Sequence, residues 1–193
     1  MSVSAHLGYI ALALLVMLES GGVPLPGETA VITASTLAAQ HHLKIELVIV
    51  VAAAAAMAGD NIGYAVGRVG GRRLLLARGP FAKRRALVVE KGEPFFAEHG
   101  PKAVFLGRWV IGLRTWMAWL AGASRMRWVS FATWNAAGSI TWATMIALIA
   151  FYAGRSTAGV IGVFAVGSLG LVIVGVRLLW KRRARRRQPV TDP

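Results

Sequence analysis

Glu19, Glu28, Arg108 and Arg114 stand inside apolar sequence, where charge is expensive. The two glutamates bound Glu19-Ser-Gly-Gly-Val-Pro-Leu-Pro-Gly-Glu28, with apolar residues from Leu7 to Leu18 before it and from Thr29 to Ala39 after it. The two arginines lie within Ala103 to Ala123, beside Gly107 and Gly112. Desolvation penalises the charged carboxylate, so a glutamate in such a cavity takes up and releases a proton near neutral pH. A guanidinium stays charged and grips a carboxylate or a phosphate through a bidentate fork. Asp60, in Gly59-Asp60-Asn61, is a further acid in apolar context and is expected to join this network or to bond a facing segment. A buried ion pair is a poor way to gain stability. Either the pairs are purely structural, or, as that argument favours, the arginines exchange between carboxylate and an anionic ligand. Glu28 has a second reading: it stands just after the break, where exposed backbone N–H groups of a helix start welcome an anion.

These groups need elements that carry them into the bilayer. Leu7 to Glu19 as a helix reaches only about 20 Å, against a hydrocarbon core of roughly 30 Å. Pro24, Pro26, Gly21, Gly22 and Gly27 then interrupt the chain. Broken backbone at that depth survives only where it lines a polar cavity or is covered by protein. Residues 7–39 therefore read as a re-entrant helical hairpin, and residues 103–123, interrupted in the same way, as a second. Residues 45–67, 128–152 and 159–180 read as full spans, and residues 68–102 as basic, interfacial amphipathic helices whose long cationic side chains snorkel outward. Residues 181–193 form a polybasic cytoplasmic tail. The expected fold class is all-α: a polytopic membrane protein, one domain over residues 1–180, with two oppositely oriented re-entrant hairpins like the inverted repeats of secondary transporters. A first arm that spans fully would put the N-terminus inside and weaken that symmetry.

Composition agrees. The chain has 193 residues, 56% of them hydrophobic, and a mean hydropathy of +0.58, which excludes an ordinary soluble domain. With no cysteine, disulfides, thiol nucleophiles and cysteine metal sites are excluded. The net charge of +14 is placed by topology: Lys44 is the only Lys or Arg before Arg68, and most of the others flank apolar runs as cytoplasmic loops do. This reads as orientation and attraction to anionic lipid, not nucleic-acid binding. Residues Met1 to Ala5 carry no basic stretch, so a cleaved signal peptide is not expected. His41 and His42 read as a loop tip, and no nucleophile triad, zinc-ligand spacing or phosphate-cradling loop stands out. The chain is accordingly expected to be no enzyme, with no metal or cofactor. Trp128 and Trp180 suit an interfacial belt. Trp109, Trp116, Trp119, Trp134 and Trp142 read as packing or cavity wall.

Four groups of residues, in order, resemble the DedA family of bacterial membrane proteins. They are Glu19-x-Gly21 with Pro24-x-Pro26-Gly27-Glu28; Gly59-Asp60 with Tyr64, Gly67-Arg68 and Gly71; Phe105-x-Gly107-Arg108 with Arg114 and Ala121-Gly122; and Phe131, Asn135, Gly138-Ser139 and Trp142. The resemblance covers most of the chain. It implies a multi-pass protein of the bacterial cytoplasmic membrane with a cytoplasmic C-terminus, two opposed re-entrant hairpins, and membrane homeostasis that depends on the proton-motive force. Some members are linked to the return of undecaprenyl phosphate across the membrane, others to phospholipids. Glu19, Glu28, Arg108 and Arg114 match the family's functional acidic and basic residues. Ala118 stands where relatives commonly place proline, so the second hairpin is expected to break less sharply, or at Gly112 instead. The expected function is proton-coupled translocation of a lipid phosphate, undecaprenyl phosphate or a related lipid. Arg108 and Arg114 would bind the head, Glu19 and Glu28 would titrate, and Asp60, Pro24, Pro26, Gly27 and Asn135 would support them. The alternative is a proton-coupled small-solute transporter or cation/proton antiporter, which needs a water-filled route wide enough for the whole solute. An intramembrane lipid phosphatase and a non-transporting scaffold are weaker readings. Homo-oligomerisation is left open.

Overall fold

The computed structural model describes residues 3–23, 25–76, 82, 90, 94–96, 98–109, 114 and 116–156. Pro24, Gly112, residues 77–81, 83–89, 91–93 and 97 of the interfacial segment, the expected span 159–180 and the basic tail lie outside the described residues. Among the described residues every regular element is helical. Two stretches, Ile45–Gly71 and Trp128–Ala153, are long and apolar enough to cross a membrane.

Helix α1 spans Val3–Ser20. At 18 residues it is about 27 Å long, beyond the 20 Å expected, because it begins ahead of the apolar run. It ends at Gly21 and Gly22, the latter at φ 109°, a conformation that glycine adopts without steric cost. Helix α2, Gly27–Ala39, doubles back along α1. Its first residue lies against the Leu15 carbonyl and Val16 Cα, while at the other end the Tyr9 hydroxyl accepts from the Lys44 backbone N–H at 2.9 Å. Helix α3, Ile45–Leu76, turns the chain again. Its buried face (Val48, Ala52, Ala56) packs with Leu12, Val16 and Val31 in one apolar cluster. It continues past the expected end of the span at residue 67, and its helical geometry breaks at Gly71, where φ is 57° and ψ −163°.

A 3-10 turn at Gly100–Lys102 leads into α4, Ala103–Gly107. Helix α5 is Met117–Ala123 and α6 is Trp128–Ala153. Ala118 falls in the first turn of α5, where a proline is tolerated but not needed; the helix starts at Met117 without one. Helix α6 runs antiparallel to α3: Phe131 stacks on Tyr64 with ring centroids 4.6 Å apart, and at the far end Gly154 meets Thr36 and Ala39.

These contacts orient the two interrupted segments. Val104 of α4 and Ala121 of α5 share a buried cluster with Tyr64 and Phe131, so both arms of the later segment open towards that end of α3. The arms of the earlier segment open towards the opposite end, where Tyr9, Lys44 and Gly154 lie. Between them α5 approaches α3 backbone to backbone. A Cβ at Gly67 would fall on the Trp119 carbonyl, and one at Gly122 on the Tyr64 carbonyl. Small residues permit such approach where apolar burial against lipid gives little drive for helix association.

Candidate functional site: two arginines over one tryptophan

The break between α1 and α2 meets the break between α4 and α5 in a cluster of opposite charges. Arg114 Nη2 lies 2.5 Å from Glu19 Oε1 and 3.2 Å from Glu28 Oε2. The two acids differ in burial: the Glu19 side chain is 15% exposed and the Glu28 side chain 45%. Glu19 also takes the position over the start of α2. A Cβ on Gly27 would collide with Glu19 Oε2, and the Glu19 carboxylate lies against the Glu28 backbone N–H. Glu19 thus joins Glu28, which stands in the first turn of α2, as a second anion at this helix N-terminus. The reason is topological: α2 folds back and carries its first N–H groups to Glu19. Gly27 allows this because any side chain there would displace the carboxylate.

The other arginine sits deeper. Arg108 Nη1 donates to Asp60 Oδ2 at 2.6 Å and to Asn135 Oδ1 at 3.1 Å. Both members of that ion pair are at most 10% exposed. Gly138 makes room for the arm of Arg108, whose Cδ lies 3.3 Å from where a Cβ would stand. Of the supporting residues expected from the sequence, Asp60, Asn135 and Gly27 are drawn into the cluster. Pro26 is exposed immediately ahead of α2.

Trp142 joins the two halves. Its ring centroid lies 5.7 Å from Arg108 Cζ and 5.5 Å from Arg114 Cζ, within cation–π range of both. Trp142 also lines the pocket, in line with its reading as cavity wall, and the contact with both guanidiniums adds to that reading. The signal in the sequence is its place, alone among the tryptophans, in the group with Phe131, Asn135 and Gly138-Ser139. Trp119, also read as packing, links the two breaks directly by donating from Nε1 to the Gly21 carbonyl at 3.0 Å. Trp128, expected at an interface, is exposed and donates to Asn61 Oδ1 at 2.9 Å.

Glu19, Ser20, Asp60, Arg108, Arg114 and Trp142 line a small pocket with about 280 Å³ of empty space, its open mouth included. Two guanidiniums face three carboxylates, so the cluster sums to 2 − 3 = −1 with every acid ionised. His41 and His42 are exposed in the turn after α2. Among the described residues no group of three or more His, Cys, Asp or Glu side chains could hold a metal ion.

The model of the VTT domain matches residues 25–156, which include every charged member of the cluster except Glu19. An uncharacterized membrane protein of Synechocystis is 34% identical over 148 residues, covering 77% of this chain and 68% of the relative. One of Mycobacterium bovis is 34% identical over 152 residues, covering 77% and 70%. Protein DedA of Escherichia coli K12 is 28% identical over 173 residues, covering 87% and 76%. No solved structure matches. A domain match over more than half its length, and membrane-protein relatives that cover three quarters of it or more, show that this chain belongs to the VTT-domain, or DedA, family of membrane proteins.

Proposed function

We propose that this protein translocates a lipid phosphate, undecaprenyl phosphate or a related anionic lipid, across the bacterial cytoplasmic membrane, coupled to the movement of protons. The two interrupted segments act as re-entrant hairpins, and the lipid's tail stays in the bilayer while its head passes between their tips. The observation that carries this reading is the pair of guanidiniums over the single Trp142 ring, each held by carboxylates from other elements. Guanidiniums so placed suit a phosphate head once the carboxylates let go.

Charge supplies the coupling. With all three acids ionised the cluster carries −1, with one proton 0 and with two +1. Anion affinity therefore rises with protonation, and proton affinity rises with bound anion, a differential affinity of the kind that couples two gradients. Arg68, Arg125 and Arg127 lie towards the end at which the later segment opens, which supports a cytoplasmic assignment of that face.

The test is reconstitution in liposomes containing polyprenyl phosphate and ordinary phospholipid, with leaflet exchange followed with and without a pH gradient. Exchange of one phosphate-bearing lipid should accelerate with the gradient and be lost in Arg114→Ala. Binding of that lipid to wild type should strengthen from pH 8 to pH 6, and Glu19→Gln, which removes one negative charge, should strengthen it at pH 8. Exchange indifferent to the gradient, or wild-type binding indifferent to pH, would overturn the reading.

A further inference from the structure

Gly59, Gly63 and Gly67 follow one another at four-residue spacing on α3 and so share one helix face. Both broken segments are seated on it. A Cβ at Gly59 would strike the Met17 carbonyl and crowd Ser20 Cβ and the Gly21 nitrogen, at the end of α1. A Cβ at Gly67 would strike the Trp119 carbonyl in α5. At Gly63, between the two, it would meet Cδ1 and Nε1 of the Trp119 indole. That indole lies across α3 and reaches the first break. A Cβ on Gly22 would meet the same Nε1, which donates to the Gly21 carbonyl at 3.0 Å. The Trp116 ring meets the indole edge-on, with centroids 5.4 Å apart.

The carbonyl that Trp119 grips belongs to the turn that carries Glu19. In that turn the Gly22 N–H donates to the Glu19 carbonyl at 3.1 Å, and the Gly21 N–H to the Met17 carbonyl at 2.8 Å. Carbonyls at a helix end need donors from outside the helix, and the indole supplies one. Gly21 stands just beyond Glu19, and Trp119 lies in the helix that follows Arg114. One hydrogen bond across 98 positions of sequence thus joins the backbone behind the carboxylate to the segment behind the guanidinium. Glutamate and arginine both lose rotamer freedom when they pair, so the pair holds best where the backbones behind it are fixed.

We propose that Trp119 is a positioning residue for the Arg114–Glu19 pair: its indole N–H holds the Glu19–Gly22 turn against α5 and so keeps the Glu19 carboxylate on Arg114. This deepens the translocation reading and rests on it for one consequence, that an anionic lipid must displace that carboxylate to reach Arg114. The charged groups around Glu19 are Glu28 on α2, Asp60 on α3, Arg108 at the end of α4 and Arg114 ahead of α5, with Trp142 contributed by α6. Loosening the turn weakens one competitor for Arg114 and leaves the other charges in place.

The test uses the purified full-length protein in detergent and Trp119→Phe, which keeps a ring and drops the N–H, with Trp119→Leu should the first fail to fold. Without ligand, the Tm loss caused by the Trp119 substitution is compared in wild type and in Glu19→Gln. Positioning predicts a smaller loss in Glu19→Gln, where no ionic pair remains to be held. An equal loss in both backgrounds is packing alone and overturns the proposal. Farnesyl phosphate then serves as the probe of the anion site. At pH 8 the Trp119 variant should bind it about two- to tenfold more tightly than wild type, the factor that one hydrogen bond is worth. The gain should shrink at pH 6 and vanish in Glu19→Gln. A loss of affinity, or a gain that persists in Glu19→Gln, overturns the proposal. Unequal Tm losses with no change in affinity at pH 8 would leave Trp119 as the positioning residue and refute the displacement of Glu19 by lipid phosphate on which the translocation reading depends.

Discussion

Arg114 and Glu19 are 95 positions apart in the chain and meet at 2.5 Å, and the same guanidinium nitrogen holds Glu28 at 3.2 Å. One cation is thus shared by two acids, one of them half exposed. The neighbouring pair is built differently: Arg108 and Asp60 are both buried, with Asn135 completing the contact. This asymmetry gives the two arginines different mobility. Arg114 can release one carboxylate and keep another, whereas Arg108 can leave Asp60 only if something else compensates it.

Stability should report that difference. Arg108→Ala leaves a buried carboxylate unpaired, and is expected to cost about 3–5 kcal/mol. Arg114→Ala should cost less, because Glu28 reaches solvent. Adding Asp60→Asn to Arg108→Ala removes the stranded charge and should recover most of the loss, while lipid exchange stays absent. Chemical denaturation or thermal unfolding of the four proteins in detergent checks the ranking. Equal losses for the two arginine variants would contradict it.

Trp142 is expected to matter for the anion more than for the fold. Trp142→Phe keeps an aromatic face and should bind lipid phosphate within a few-fold of wild type. Trp142→Leu loses the ring under both guanidiniums, each contact being worth about 0.5–2 kcal/mol. Its affinity should fall by roughly tenfold or more, as read by titration with a short-chain lipid phosphate at pH 6. Tm measured alongside separates the loss of the ring from a loss of packing.

The α3–α5 approach gives a packing test independent of charge. Gly67→Ala would drive a Cβ into the Trp119 carbonyl and Gly122→Ala one into the Tyr64 carbonyl. Backbone cannot swing aside, so each should cost about 3 kcal/mol or more. At Gly63 a Cβ meets the edge of the Trp119 ring, and a side chain can yield, so Gly63→Ala should be milder. Unfolding midpoints of the three variants decide the order.

Some of this protein is legible from local sequence. Runs of apolar residues set α3 and α6, and glycine with proline ends α1, because helix length and backbone breaks follow from side chains next to one another. The charged residues that form the cluster could be picked out for the same reason: an arginine inside an apolar segment is conspicuous wherever the chain goes. Helix ends were less legible. Helix α1 begins at Val3 and α3 runs to Gly71 before breaking, since hydropathy marks the apolar part of a helix and not its hydrogen-bonded limits. Tertiary structure alone decided who meets whom. The separate partners of Arg114 and Arg108, the seat of Glu19 over α2 and the Trp142 ring beneath both guanidiniums all depend on two broken segments arriving from opposite ends of α3. Pairing is a relation through space, and no spacing along the chain encodes it.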